Sequence, residues 1–215
     1  VVRPVPGPQL DLGSARAQEL HQLPVVVEVG RHAGESGDGE AHDADPTAVR
    51  RRVCPLTVSG AGRAPKHTNS FCTVDEDVTA YGLLDHRHTP EIEQETGAQV
   101  LCTPHLAPLS RGLLATCYAK PKGAVTTASL LATLAGRYSG EPFVVVRPSS
   151  PTTKATMASN VAHITARFDE RTNTVIAICA IDNLAKGASG GAVQAANVAV
   201  GLPETAGLAT VGMYP

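Results

Sequence analysis

His86-Arg87-His88 sets an imidazole on each side of a guanidinium, in a stretch that runs straight into Thr89-Pro90. Such imidazoles can take or give a proton near neutral pH, and the guanidinium between them can hold an anion. The helix start that follows favours negative charge too. A metal centre would need a third ligand. His67, His105 and His163 are available, but their spacing selects none, and no metal is assigned. The plain alternative is one exposed histidine and one that caps a strand end.

Two Gly-rich turns also carry a base: SGAGR (59–63) and DNLAKGASGGAVQ (182–194). Turns of this kind can cradle phosphates with exposed N–H groups. Neither fits the dinucleotide fingerprint or the P-loop, and a plain tight turn or helix C-cap is the commoner explanation of each. Arg111, in PLSRGLLAT, leads a strand and can clamp a carboxylate or phosphate, or simply be a solvated charge. The cysteines offer little as nucleophiles. Cys102, Cys117 and Cys179 lie in apolar strands, where a thiol behaves as a small hydrophobe. Cys72 follows Phe71 on a strand or loop, and Cys54 follows three arginines.

The elements that must position these groups are legible after Val53. LTVSGAGRAP (56–65) reads as a strand entering a glycine turn, and 98–106 and 111–120 as half-buried strands. HTPEIEQETG (88–97) has the grammar of a helix, with Thr89 as N-cap, Pro90 at the first position and Gly97 as stop. Residues 126–140 predict an amphipathic helix with Leu130, Leu131, Leu134 and Tyr138 on one stripe. FVVV (143–146) is a short buried strand. In 161–168 the alternation puts Ala162, Ile164, Ala166 and Phe168 on one face. TVIAICAI (174–181) is apolar throughout and predicts a central strand, and 187–203 a Gly-led helix stopped by Pro203. Strands joined by short turns outnumber helices. The expected fold is α+β, a largely antiparallel mixed sheet with helices on one face.

Composition bounds the function. The 215 residues carry 18 basic and 20 acidic side chains, without the basic stripe of a nucleic-acid binder. No apolar run approaches the roughly 18 residues of a membrane span, so no membrane partner is expected. Five cysteines without a CxxC pair do not form a disulfide framework, and a reducing cytoplasmic setting is the expectation. Residues 1–50 differ from the rest: four Arg and eight acids, and no Ile, Phe, Tyr, Lys or Asn. Those five residue types have AT-rich codons, so residues 1–52 are expected to be a poorly ordered or out-of-frame segment before a domain over 53–215.

From about Leu56 onward the motifs SGAGR, YGLLDHRHTPEIEQ, TPHLAPLSRGLLATCYA, Ser159-Asn160, AIDNLAKGASGGAVQAAN and GLPETAGL appear in one order. Together they resemble N-acetyl-gamma-glutamyl-phosphate reductase, in its C-terminal catalytic and dimerisation domain. The resemblance implies the C-terminal fold of glyceraldehyde-3-phosphate-dehydrogenase-like reductases and NADPH-dependent reduction of an acyl phosphate to a semialdehyde in arginine biosynthesis. It implies a homo-oligomer through the sheet. It gives His88 or His86 the acid/base role, with His88 favoured because it leads into the TPEI turn. Arg87 and Arg111 would hold substrate carboxylate or phosphate, with Ser59 beside them. Gly60, Asn183, Gly187 and Gly190 would border the NADP. The family's Rossmann domain and Gly-Cys nucleophile segment have no match, and LTVSGAGR is one residue short of the family's SGxSGAGR. The chain alone is therefore expected to be inactive. Alternatives are a non-catalytic remnant or dimerisation module, a related semialdehyde dehydrogenase, or a histidine-based metal hydrolase.

Overall fold

The computed structural model describes residues 50–62, 64 and 66–214. The segment expected to be disordered or out of frame lies, up to residue 49, outside the described residues. The first strand, β1 (Arg50–Thr57), opens three residues before Val53. It is flanked by β3 (Val100–Ala107) in parallel and β4 (Leu113–Ala119) antiparallel. The pair β2 (Thr79–Ala80) closes one edge against β3. On the other side β4 pairs with β7 (Thr174–Ile181), β7 with β6 (Ala162–Asp169), and β6 in parallel with β5 (Val144–Val146). The order is β2-β3-β1-β4-β7-β6-β5. Among the described residues four of the six pairings are antiparallel, as the short turns predict.

Pairing register decides which side chains share a face. Ala115, Cys179 and Ile164 form one row, and Ala177 and Ala166 the next. Over these rows packs α2 (Thr127–Arg137), whose buried Leu130 and Leu134 meet Ala162, Ile164, Ala166 and Val175. Each buried leucine contributes about 2 kcal/mol. Thr126 caps this helix: its hydroxyl accepts from Ser129 N at 3.1 Å, while Ser129 Oγ accepts from Thr126 N at 2.9 Å. The buried positions of β3, Val100, Cys102 and Pro104, continue the same face next to α1 (Thr89–Thr96).

Three expectations are adjusted. The N-cap of α1 is His88, not Thr89, because Thr89 N already donates to His86 O at 2.9 Å in the preceding turn; Pro90 is the second helical residue. The last helix, α3 (Gly190–Ala199), is preceded by a π-helical turn over Ala185–Ser189, so it begins three residues later than its glycines imply. In β6 both faces are buried over 162–166, not one. Residues after β5 run beside it: Arg147 N donates to Ile164 O at 2.8 Å and Thr165 Oγ1 donates to Arg147 O at 2.7 Å.

This double burial catches His163, which is 9% exposed with its Nδ1 buried and unpartnered. Burial, then the Arg147 charge, holds its pKa below the ordinary value. The neutral ring is the form the fold accepts. Protonation therefore favours the unfolded chain as pH falls below about 6.5 and onward through the lowered folded value. Thermal denaturation across that range should show the wild-type midpoint falling faster than that of H163Q. Parallel curves would assign the acid sensitivity to other groups.

Candidate active site

One wall of a cleft of about 580 Å³ is the end of β1 and the 3₁₀ turn Val58–Ala61. Thr57 is fully buried, its Oγ1 lies 3.2 Å from Ser59 Oγ, and Val58 N donates to Leu109 O at 3.0 Å. These contacts leave Gly60 and Ala61 lining the cleft. The opposite wall is the stretch from Tyr81 to His88. Tyr81 N donates to Pro104 O at 3.1 Å, which ties that wall to β3. Gly82 has φ +56°, and a Cβ there would stand 3.0 Å from His86 Cδ2, so a side chain would displace the imidazole. His86 packs edge-on between Tyr81 (5.5 Å between centroids) and His88 (5.0 Å). Lys66, Asn69, Thr73 and Val74 supply the rim.

Within the triplet, Arg87 Nε donates to His88 Nε2 at 3.2 Å, so that nitrogen carries its lone pair. His88 N approaches His86 Nδ1 at 3.4 Å. The His86 pKa lies below its ordinary value: burial lowers it, His88 and Arg87 lower it further, and Asp85 opposes them. Among the described residues no three His, Cys, Asp or Glu side chains converge as a metal site.

Behind the first wall lies a second cluster at the end of β7. Asp182 is fully buried; its Oδ1 accepts from Leu184 N (2.8 Å) and Ala185 N (3.0 Å), and its Oδ2 from Ala158 N (2.7 Å). Burial alone would raise its pKa, but those three N–H groups and the Arg111 charge prevail and hold it below the usual carboxylate range. Asn183 accepts from Gly112 N through Oδ1 (2.7 Å) and donates to Ser59 Oγ through Nδ2 (2.9 Å).

His86, Arg87, His88 and Gly60 thus line one cleft, with Ser59, Asn183 and Arg111 connected behind it. Arg63 lies outside the described residues. Gly187 sits exposed in the π turn, its N–H bonded to Asp182 O at 3.0 Å. Gly190 does not join them: it is buried against Asn160. Cys102 and Cys179 are buried in strands, and Cys72 is exposed on the helical turn Phe71–Val74. The side chain of Cys54 lies outside the described ones.

Sequence reasoning passed over Asp182, although it is the first charge after an eight-residue apolar strand. It also missed a polar network under the π turn. Lys186 Nζ donates to Gln194 Oε1 (2.6 Å), which accepts from Asn160 Nδ2 as well (2.8 Å), while Gln194 Nε2 donates to Glu204 (2.5 Å). Burial lowers the Lys186 pKa, and Glu204 and Glu141 counter it.

Residues 52–183 match the family described as "Semialdehyde dehydrogenase, dimerisation domain". The chain belongs to this family. Among curated relatives, the N-acetyl-gamma-glutamyl-phosphate reductase of Citrifermentans bemidjiense is 48% identical over 166 residues, covering 73% of this chain and 48% of its own length. The namesake from Acidothermus cellulolyticus is 45% identical over 184 residues, covering 81% and 53%. The chain spans about half the length of the curated relatives it matches. Among solved structures, aspartate semialdehyde dehydrogenase II of Vibrio cholerae in complex with ASA superposes with a TM-score of 0.57 at 13% identity, over 71% of this chain and 54% of that one. A probable aspartate-semialdehyde dehydrogenase of Pseudomonas aeruginosa gives 0.57 at 15% identity, over 71% and 55%. At such identities the semialdehyde dehydrogenases establish the fold alone, and that fold is the α+β sheet expected.

Proposed function

We propose that this chain is the substrate-handling and subunit-pairing part of an NADPH-dependent reductase that converts N-acetyl-glutamyl 5-phosphate to the 5-semialdehyde in arginine biosynthesis, in the cytoplasm. The observation that carries the reading is the convergence of His86, Arg87 and His88 with the Thr57–Ala61 wall on one cleft. Relatives that bear the reductase name at 48% identity support the substrate assignment. A related semialdehyde dehydrogenase shares the family match and the fold, but the relatives at 45–48% identity bear the reductase name.

The chemistry follows from the groups present. Arg87 and Arg111 hold carboxylate or phosphate, as guanidinium forks do. His88 moves the proton at Nε2, the nitrogen that carries a lone pair while Arg87 faces it. An anion that draws Arg87 away leaves this nitrogen open. The reaction's hydride would come from NADPH. Ser59, Gly60, Asn183 and the exposed Gly187 fit its border; Gly190, buried under Asn160, fits packing instead. Most of that cofactor's contacts would come from a dinucleotide-binding domain, and none of the cysteines is given the nucleophile's role.

The test is a titration of N-acetylglutamate into the isotope-labelled chain. Shifts should concentrate at Gly60, Ala61, residues 86–88 and Arg111. A map centred on another surface would sink the assignment of the cleft.

The subunit-pairing part of the reading rests on the sheet face opposite α2. Tyr118 pairs with Ile176, Thr116 with Ile178 and Leu114 with Ala180. Leu101 (39%), Tyr118 (36%) and Val145 (37%) are exposed there. A broad, partly apolar sheet face of this kind suits a second copy of the chain. Sedimentation should find a dimer, and Y118E should yield monomers by setting a charge within the buried face. A dimer untouched by this substitution would place the contact elsewhere.

A further inference from the structure

Arg111 presents an unusual combination: its Nε is buried without an aligned hydrogen-bond acceptor, yet its side chain is 37% exposed. The charge facing Nε is Asp182 Oδ2, 3.4 Å away, on a carboxylate with no exposure at all. We propose that Asp182 is a positioning residue that holds the Arg111 guanidinium by its Nε edge and turns the two Nη groups outward to grip an anionic group of the substrate. The proposal rests on the reductase reading of this site and goes beyond it by naming the group that aims the arginine.

Asp182 is built for this role. Its Oδ1 is filled by Leu184 N and Ala185 N and its Oδ2 takes Ala158 N, so the carboxylate cannot swing toward solvent. The adjacent Asn183 accepts from Gly112 N at 2.7 Å, which pins the backbone beside Arg111. Two consecutive residues at the end of β7 therefore set the side chain and the backbone of one step, 111–112. Asn183 then reaches Ser59 at 2.9 Å, linking this step to the cleft wall. With Nε committed, the edge that remains is the Nη pair, whose parallel N–H bonds match a carboxylate or a phosphate.

Calorimetry on the full chain, with N-acetylglutamate and with inorganic phosphate as separate probes, tests the proposal and shows which anion is taken. R111Q should weaken the bound anion by about tenfold or more. D182N should cost about tenfold alone but no more than about twofold in the R111Q background. Its loss of thermal stability should persist in both backgrounds, because three N–H groups lose a charged acceptor either way. Should D182N fail to fold, R111K reads the same geometry. An ammonium within reach of Asp182 is captured by it, so affinity should fall about as far as in R111Q. An equal D182N effect in both backgrounds, or R111K binding like wild type, overturns the proposal and leaves the reductase reading standing. A wild-type chain that binds neither anion removes the reading at Arg111, and the proposal with it.

Discussion

Replacing His88 by asparagine, in a reductase made by joining this domain to the N-terminal half of the Citrifermentans bemidjiense relative, should lower kcat by about 10²–10⁴-fold. Its KM should change far less. The expectation follows from the triplet's geometry. His88 Nε2 is an acceptor, facing Arg87 Nε at 3.2 Å, and the ring is only half-buried, within reach of a ligand in the cleft. His86 is differently placed, packed between Tyr81 and His88, with its pKa lowered by burial and by the charges beside it. H86N should therefore loosen the wall and raise KM more than it lowers kcat. The two variants separate the two imidazoles. Equal kcat losses, or a larger one for H86N, would reverse the assignment.

Gly190→Ala should destabilise the chain by about 3 kcal/mol, equivalent to a fall of about 10 °C in Tm. The added Cβ would stand 2.4 Å from Asn160 Oδ1 and 2.8 Å from Ala185 O. Neither neighbour can yield. Asn160 is 2% exposed and donates to Gln194 at 2.8 Å, and Ala185 O belongs to the π turn. At Gly187 the nearest atom to a Cβ is Ile181 Cδ1 at 3.4 Å, the far end of a flexible side chain. G187A should therefore leave stability within about 1 kcal/mol of wild type. Thermal denaturation of both variants is the check. A stable G190A would mean that Asn160 repacks and that the glycine is kept for another reason.

The contrast between these glycines shows where sequence reasoning ran out. Strand periodicity placed β6 and β7, the leucine stripe of 126–140 placed one helix, and Pro90 with Gly97 bounded another, because local chemistry dictates each. Motif order brought His86, Arg87, His88 and Gly60 forward together, and they line one cleft. What a strand buries on its second face depends on remote chain, so the burial of His163 beside Arg147 was not legible. Nor was the fate of Gly190, which is decided by Asn160, thirty positions away. Asp182 went unremarked for the same reason. Its partners, Ala158 N and Arg111, are distant in sequence and meet it only once β4, β6 and β7 are side by side. The start of α1 was misjudged by a single residue, since a turn closed by Thr89 N and His86 O competes with Thr89 as cap.

The most direct measurement is NADPH oxidation by the joined enzyme, with N-acetylglutamyl phosphate and aspartyl phosphate supplied in turn and the chain alone as control. Turnover is expected with the first substrate, little with the second, and none by the chain alone. Robust turnover by the chain alone, or a preference for aspartyl phosphate in the joined enzyme, would contradict the reductase reading.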